Sequence, residues 1–167
     1  LDDGTTMAVS YQEPIHYKNA AGEWVDYDNS LKNETVNSAS PDEVTEEYTN
    51  KKSDFKVNYS KKSKENSMVK IKGDNQKISW GYKDTNKVKS TIVNNDEELT
   101  GNDKFTTLKK LTSEITYENI YDDVDVQYFT TTTGVKENII LKNKNARSDF
   151  YIQYKFNNLT AKSVDDK

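Results

Sequence analysis

The sequence contains few of the side chains that activate a nucleophile or bind a metal. It has one histidine, His16, and no cysteine. A Ser-His-Asp triad would therefore have to be built around this single imidazole, and thiolate zinc sites and cysteine nucleophiles are excluded. The six glycines are isolated and form neither a dinucleotide-binding loop nor a P-loop. We therefore predict that the chain is not an enzyme, that it needs no cofactor, and that His16 is a structural strand residue.

Carboxylates offer two further kinds of chemistry. The cluster of Asp122, Asp123 and Asp125 has the oxygen atoms that Ca²⁺ prefers, but it lacks the spacing and the glycine of an EF-hand loop. The start of a strand explains this cluster better, so no metal site is predicted. A glycosidase-type acid pair is open to any acidic β protein, because only the separation of two carboxyl groups in space identifies one. A glycan-active enzyme domain is the least favoured alternative.

The aromatic side chains could form a ligand-binding site. The chain has 11 Tyr and two Trp, and sugar-binding β modules stack planar side chains on pyranose rings beside Asn, Asp or Gln. The candidates for such a ligand site are Tyr17, Trp24, Tyr27, Trp80 and Tyr82. Trp80 and Tyr82 share one strand face with Ile78, which favours burial in the core. Tyr17 and Trp24 would form a platform if both were exposed.

Charge restricts the partners. The chain has 24 basic and 28 acidic residues, a formal net charge of -4, and both signs are interspersed, so a nucleic-acid partner is not expected. The densest basic run, at 61–64, is followed by Glu65 and is interpreted as a solvated turn. No apolar run approaches the roughly 20 residues of a membrane span.

Composition and alternation predict an all-β chain. Only 32% of residues are apolar and 31% are charged, so burial must come from thin alternating strands rich in aromatic and β-branched residues. The clearest hairpin pairs 124–129 with 135–141. Val126 then faces Ile139 and Val124 faces Leu141, whereas a slip of one residue would scatter these aliphatics. Glu137 lies opposite Tyr128 on the same face and needs a partner, either the Tyr128 hydroxyl or a cation from an adjacent strand.

The rest of the chain completes a pattern of about ten strands. An N-terminal hairpin with the turn 19–22 sets Tyr17 opposite Trp24 and Lys18 opposite Glu23. Polar composition predicts long loops at 32–53 and 94–103, with one short helical turn at 42–47 capped by Ser40. Further strands are predicted at 5–11, 15–18, 23–27, 55–59, 68–71, 77–82, 88–93 and 150–156. We expect residues 1–167 to form a single module, an antiparallel β-sandwich or a curved sheet.

Two pairs of segments resemble a known group of proteins. They read EPIHYK at 13–18, GEWVDYDNSL at 22–31, YENIYDDVDVQY at 117–128 and GVKENIIL at 134–141. They are similar to the N-terminal region of bacterial wall-associated, RHS-repeat and DNRLRE-domain proteins, over residues 9–142. The resemblance implies a very long secreted or wall-attached polypeptide in which this region precedes further modules, and it carries no catalytic residues across.

Three functions follow from these observations, in order of preference. The first is a non-catalytic structural or interaction module whose partners are neighbouring domains of the same polypeptide. The second is a carbohydrate-binding module for cell-wall or host glycans, which requires exposed aromatics. The third is the glycan-active enzyme, which requires convergent carboxylates in a pocket.

Overall fold

Strands make up almost all of the regular structure. The computed structural model describes residues 12–37, 44–94 and 110–162, and these ranges contain 12 strands. In chain order they are β1 His16–Lys18, β2 Trp24–Asp26, β3 Asp28–Asn37, β4 Val44–Lys52, β5 Lys56–Ser60, β6 Val69–Lys72, β7 Lys77–Tyr82, β8 Ser90–Asn94, β9 Ser113–Tyr121, β10 Val124–Thr130, β11 Val135–Leu141 and β12 Ile152–Asn157.

The strands form three antiparallel sheets, which confirms the predicted fold class. The larger sheet has the order β12-β7-β6-β5-β4-β3, the smaller has the order β11-β10-β9-β8, and β1 and β2 form a separate hairpin. Strands β12 and β11 are therefore edge strands. No helix in the described part of the chain is long and apolar enough to cross a membrane.

The two main sheets enclose one core between them. The fully buried strand residues of the larger sheet include Val57, Tyr59, Val69 and Tyr82, and those of the smaller sheet include Ile115, Tyr117, Val126 and Tyr128. A sandwich follows, because each sheet supplies only one apolar face and must cover it with the other.

Tyrosine hydroxyls join the two sheets. A buried phenol is costly without a partner for its hydroxyl group, and three of the buried tyrosines find one in, or just past the end of, a strand of the opposite sheet. Tyr59 shares a hydrogen bond with the Thr130 hydroxyl (2.8 Å), Tyr117 donates to the Ser60 carbonyl (2.5 Å), and Tyr121 donates to the Lys83 carbonyl. The distance between the sheets is thus set by directional bonds as well as by packing.

Glu137 is bound in the same way. Its carboxylate accepts hydrogen bonds from Trp80 Nε1 (3.1 Å) and from the Tyr82 hydroxyl (2.8 Å), both on β7 of the opposite sheet. Neither of the two partners expected for this residue, the Tyr128 hydroxyl or a cation from an adjacent strand, is the one that binds it. Burial and the Glu137 charge together raise the pKa of Tyr82 and of Tyr128.

The predicted register of the late hairpin is confirmed. Val124 pairs with Leu141, Val126 with Ile139, and Tyr128 with Glu137. Strand β7 has the predicted bounds of 77–82, and the other predicted strands from 55 onward agree with β5, β6, β8 and β12 within two residues. The predicted strand at 5–11 lies outside the described residues.

The predicted loop at 32–53 is wrong. Strand β3 extends to residue 37 and β4 covers 44–52, and the two pair along most of their length. The predicted helical turn at 42–47 is also wrong where it is described, since 44–47 belong to β4. Of the loop predicted at 94–103, Asn94 ends β8 and the remainder lies outside the described residues. Strand β9, at residues 113–121, was not predicted at all.

Buried polar side chains explain why the alternation of apolar and polar residues did not predict strands β3 and β4. Asn29 and Asn50 are buried, and Asn50 Nδ2 donates to Asn29 Oδ1 (3.3 Å) and to the Phe55 carbonyl (3.1 Å). Buried Thr49 donates to the Val57 carbonyl at 2.9 Å. Because each of these groups is hydrogen-bonded, burial costs little. The strands therefore form without the apolar periodicity that would reveal them.

The close packing of β7 against residues 64–65, which precede β6, can be tested at Gly81. A Cβ atom at this position would lie 2.1 Å from the Lys64 carbonyl oxygen and 2.6 Å from that of Glu65. We expect Gly81→Ala to lower the free energy of unfolding by about 1–3 kcal/mol, since backbone must move. Gly73→Ala is the matched control, because no atom lies within 4 Å of its Cβ position. Urea denaturation measures both, and equal stability of the two variants would contradict this packing.

The buried phenols predict alkaline unfolding. Burial raises the pKa of Tyr27 to about 12 and raises the pKa values of Tyr59, Tyr82, Tyr117 and Tyr128 above the ordinary 10.0. Because folding raises these values, their contribution to stability is present below pH 10 and is lost as the pH rises above it.

We expect the phenolate absorbance of the buried tyrosines to appear together with loss of the near-ultraviolet circular dichroism, in one cooperative step above pH 10. Complete phenol ionisation in a chain that keeps its dichroism would show that these rings are accessible.

Candidate functional site

Trp80 and Tyr82 belong to the core. Tyr82 is fully buried and Trp80 is half-buried, and both donate to Glu137 across the sandwich. The Trp80 ring also lies 6.2 Å, between centroids, from the Tyr128 ring. Their hydrogen-bonding atoms are occupied inside the protein, so these two candidates are placed as structural residues.

Tyr17 and Tyr27 pack on each other. Their ring centroids are 4.9 Å apart, and the planes of the rings are tilted by 41°. Tyr27 is buried and Tyr17 is half-buried. They occupy the face of the β1–β2 hairpin that is turned toward the rest of the protein.

The register predicted for this hairpin is wrong by one residue. Tyr17 pairs with Val25, and Lys18 pairs with Trp24. The cause is the turn, in which Asn19 Oδ1 accepts from the Glu23 amide (3.0 Å) and Gly22 adopts a φ of +80°. A left-handed glycine closes a three-residue loop rather than the expected four. Tyr17 and Trp24 consequently lie on opposite faces and form no joint platform.

Trp24 remains as an exposed aromatic. Its side chain is 69% exposed, and the Lys18 ammonium lies 5.2 Å from the ring centroid. On the same face His16 Nε2 lies 2.8 Å from Asp26 Oδ1. An accessible indole face thus stands beside an imidazole, a carboxylate and an ammonium. A shallow depression next to it is lined by Pro14, Ile15, His16 and Trp24.

The acidic cluster has structural partners. Asp125 Oδ1 accepts from the Asn119 amide (2.6 Å) and lies 2.8 Å from Lys142 Nζ. Asp122 and Asp123 are exposed in the turn between β9 and β10, where Asp123 has a φ of +59°. Within the described ranges no three His, Cys, Asp or Glu residues are grouped as metal ligands would be. The cluster shapes a turn and positions a lysine.

A second exposed surface was not predicted. The core-facing positions of the two edge strands carry Ile139 and Leu141 on β11 and Tyr154 and Phe156 on β12, and these four define what we call the open edge. Each is 36–49% exposed, although Val124, Val126 and Trp80 beside them are buried or half-buried. The sandwich is therefore not closed along this side.

The open edge is also aromatic. The Tyr154 ring stacks at 6.2 Å on Trp80 and at 6.1 Å on Phe156. The alternation of side chains along a strand places Tyr154 and Phe156 on one face of the strand predicted at 150–156. It could not predict that their strand is an edge strand, because strand order depends on contacts between residues far apart in sequence.

The comparisons with known proteins give one relative and no family. No family model matches the chain, and no solved structure matches it significantly. Among curated proteins, the tRNA nuclease WapA of Bacillus subtilis (strain 168) is 26% identical over 165 residues, which covers 98% of this chain and 6% of that protein. This match agrees with the resemblance to bacterial wall-associated proteins that the sequence motifs carry.

The relative also corrects an expectation. We predicted that the chain is not an enzyme, whereas the matching protein is named as a nuclease, so the prediction is contradicted. The chain spans only about 6% of the length of that relative. It is thus similar, along nearly its whole length, to a small part of a much larger bacterial nuclease.

Proposed function

We propose that the chain is one β-rich interaction module of a long, secreted or wall-associated bacterial polypeptide that has enzymatic activity. In this proposal the open edge is its contact surface for a neighbouring part of the same polypeptide. The observation that carries the proposal is the exposure of four large apolar side chains at core-facing positions of two edge strands.

Exposed apolar side chains along a sheet edge are stabilised when another surface packs against them. Scattered ones are ordinary, but a contiguous apolar patch on a soluble protein marks a contact surface, and an unpaired edge strand offers free backbone groups besides. Strands β11 and β12 place four exposed apolar side chains and two unpaired strand edges on the same side of the sandwich. At roughly 25 cal/mol per Å², covering each 100 Å² of apolar surface contributes about 2.5 kcal/mol before ordering costs.

The neighbouring part of the polypeptide is the occupant that the comparison favours. The chain corresponds to about 6% of its relative, so most of such a protein lies outside it. A segment of the same polypeptide is held at high effective concentration, which lets a surface of modest size bind stably. Support for secretion comes from the resemblance of the sequence motifs to bacterial wall-associated proteins.

Hydrogen exchange tests the docking. We expect amide exchange of β11 and β12 to be at least about tenfold slower in the longer parent polypeptide than in this chain alone, because a docked segment covers them. Phe156→Lys should remove the added protection, since it places a charge in the contact.

Val93→Lys is the matched control for that experiment. Val93 is 53% exposed but lies on β8, the edge strand at the other side of the smaller sheet. It should leave the protection of β11 and β12 intact. Equal exchange of these strands in the parent and in the isolated chain would refute docking at the open edge.

A carbohydrate ligand is the second candidate, and it is supported by the exposed Trp24 face. The indole is 69% exposed and can stack on a sugar ring on the side away from the Lys18 ammonium, while Asp26 and His16 provide hydrogen-bonding groups on the same face of the hairpin.

A glycan-array screen tests this second candidate. If a glycan binds there, we expect Trp24→Ala to weaken binding by about tenfold or more, because truncating a stacked Trp removes a dominant contact. The variant should stay folded, as judged by near-ultraviolet circular dichroism. Trp80→Ala serves as the control, since it should reduce stability without a specific loss of binding. Binding that survives Trp24→Ala unchanged would exclude this face.

A further inference from the structure

Lysines from two distant parts of the sequence converge on one groove. We call it the basic groove and define it by Lys61, Lys62, Lys64 and Lys89. It lies where β5 ends and β8 begins, and its volume is about 530 Å³. Its other lining residues are Thr45, Glu46, Tyr48, Ser60 and Ser90. The convergence is invisible in the sequence, which shows only the run at 61–64.

The backbone holds these lysines in place. Lys62 and Lys89 are directly opposite each other in an isolated antiparallel bridge. Beside it the Ser90 amide donates to the Lys61 carbonyl at 3.0 Å, and the Ser63 amide donates to the Val88 carbonyl at 2.9 Å. The run at 61–64, predicted to be a solvated turn, is therefore anchored by backbone hydrogen bonds to residues 88–90 at the start of β8.

The arrangement is electrostatically unfavourable without an anion. Like charges directly opposite each other across paired strands are destabilising. Lys61 is paired with Glu46 at 2.9 Å, but Lys62, Lys64 and Lys89 have no acidic partner among the described residues. The whole chain is acidic, with a net charge of -4, so this positive cluster does not follow from composition.

We propose that the basic groove binds a chain of phosphate groups. Lysine ammonium groups bind phosphate as point charges, and a groove lined by four lysines, three of them without an acidic partner among the described residues, suits several phosphates in a row better than one. The Glu46 carboxylate is neutralised by Lys61, so it does not oppose an anion at the other three lysines. In this proposal the site binds only the phosphate groups, so its affinity does not depend on the bases or sugars of the polymer.

Two charge reversals test the groove. Lys62→Glu and Lys89→Glu each convert the opposed lysine pair into an opposite-charge pair, so each variant should melt at the same temperature as the natural chain or higher. Lys136→Glu is the control, because it makes the same change in net charge at an exposed position of β11.

Binding is measured with inorganic polyphosphate and with a single-stranded RNA of similar phosphate number. We expect the dissociation constant for both polymers to rise at least about tenfold in Lys62→Glu and Lys89→Glu and to stay within about twofold in Lys136→Glu. The affinity should fall steeply with salt, with a shallower slope in the two groove variants.

Each outcome decides the proposal. Similar affinity per phosphate for the two polymers, lost in the groove variants, supports it. Binding of RNA without polyphosphate overturns it, because bases would then be required. Binding of neither polymer, or an equal loss in Lys136→Glu, overturns it as well.

Discussion

The hydrogen bonds that tyrosine hydroxyls make between the two sheets are the constraint on which the rest of the structure depends. A phenyl ring alone would tolerate sliding of one sheet over the other, whereas a hydroxyl that donates to a defined acceptor loses that hydrogen bond when the sheets slide. The bond from Tyr117 to the Ser60 carbonyl fixes the end of β5, and the basic groove begins at the next residue. The bond from Tyr82 to Glu137 fixes β11 against β7 and so sets the position of the open edge.

Sequence reasoning succeeded where the core is apolar and local. The hairpin of β10 and β11 could be predicted with its register because only one register gathers Val124, Val126 and Ile139 on one face. It failed for β3 and β4, where Asn29, Asn50 and Thr49 occupy buried positions and are satisfied by hydrogen bonds. Their composition is that of a loop, and only the partners on other strands make them strands.

The candidate sites show the same division. The preference for burial of Trp80 and Tyr82 could be read from their strand face, but the exposure of Trp24 depended on the turn. A single left-handed Gly22 shifts the register of that hairpin and separates Trp24 from Tyr17. Neither the open edge nor the complete basic groove can be recognised from local sequence, because each is formed by strands that become neighbours only in the complete fold. In the basic groove, Lys62 and Lys89 are separated by 27 positions in the sequence and lie opposite each other in the fold.

A core built from tyrosines and hydrogen-bonded polar side chains also has a thermal consequence. Exposure of apolar surface increases the heat capacity of unfolding, and exposure of polar surface decreases it. A chain that is 32% apolar and buries Asn29, Asn58 and Thr49 should therefore have a flatter stability curve than a domain of equal size with an aliphatic core.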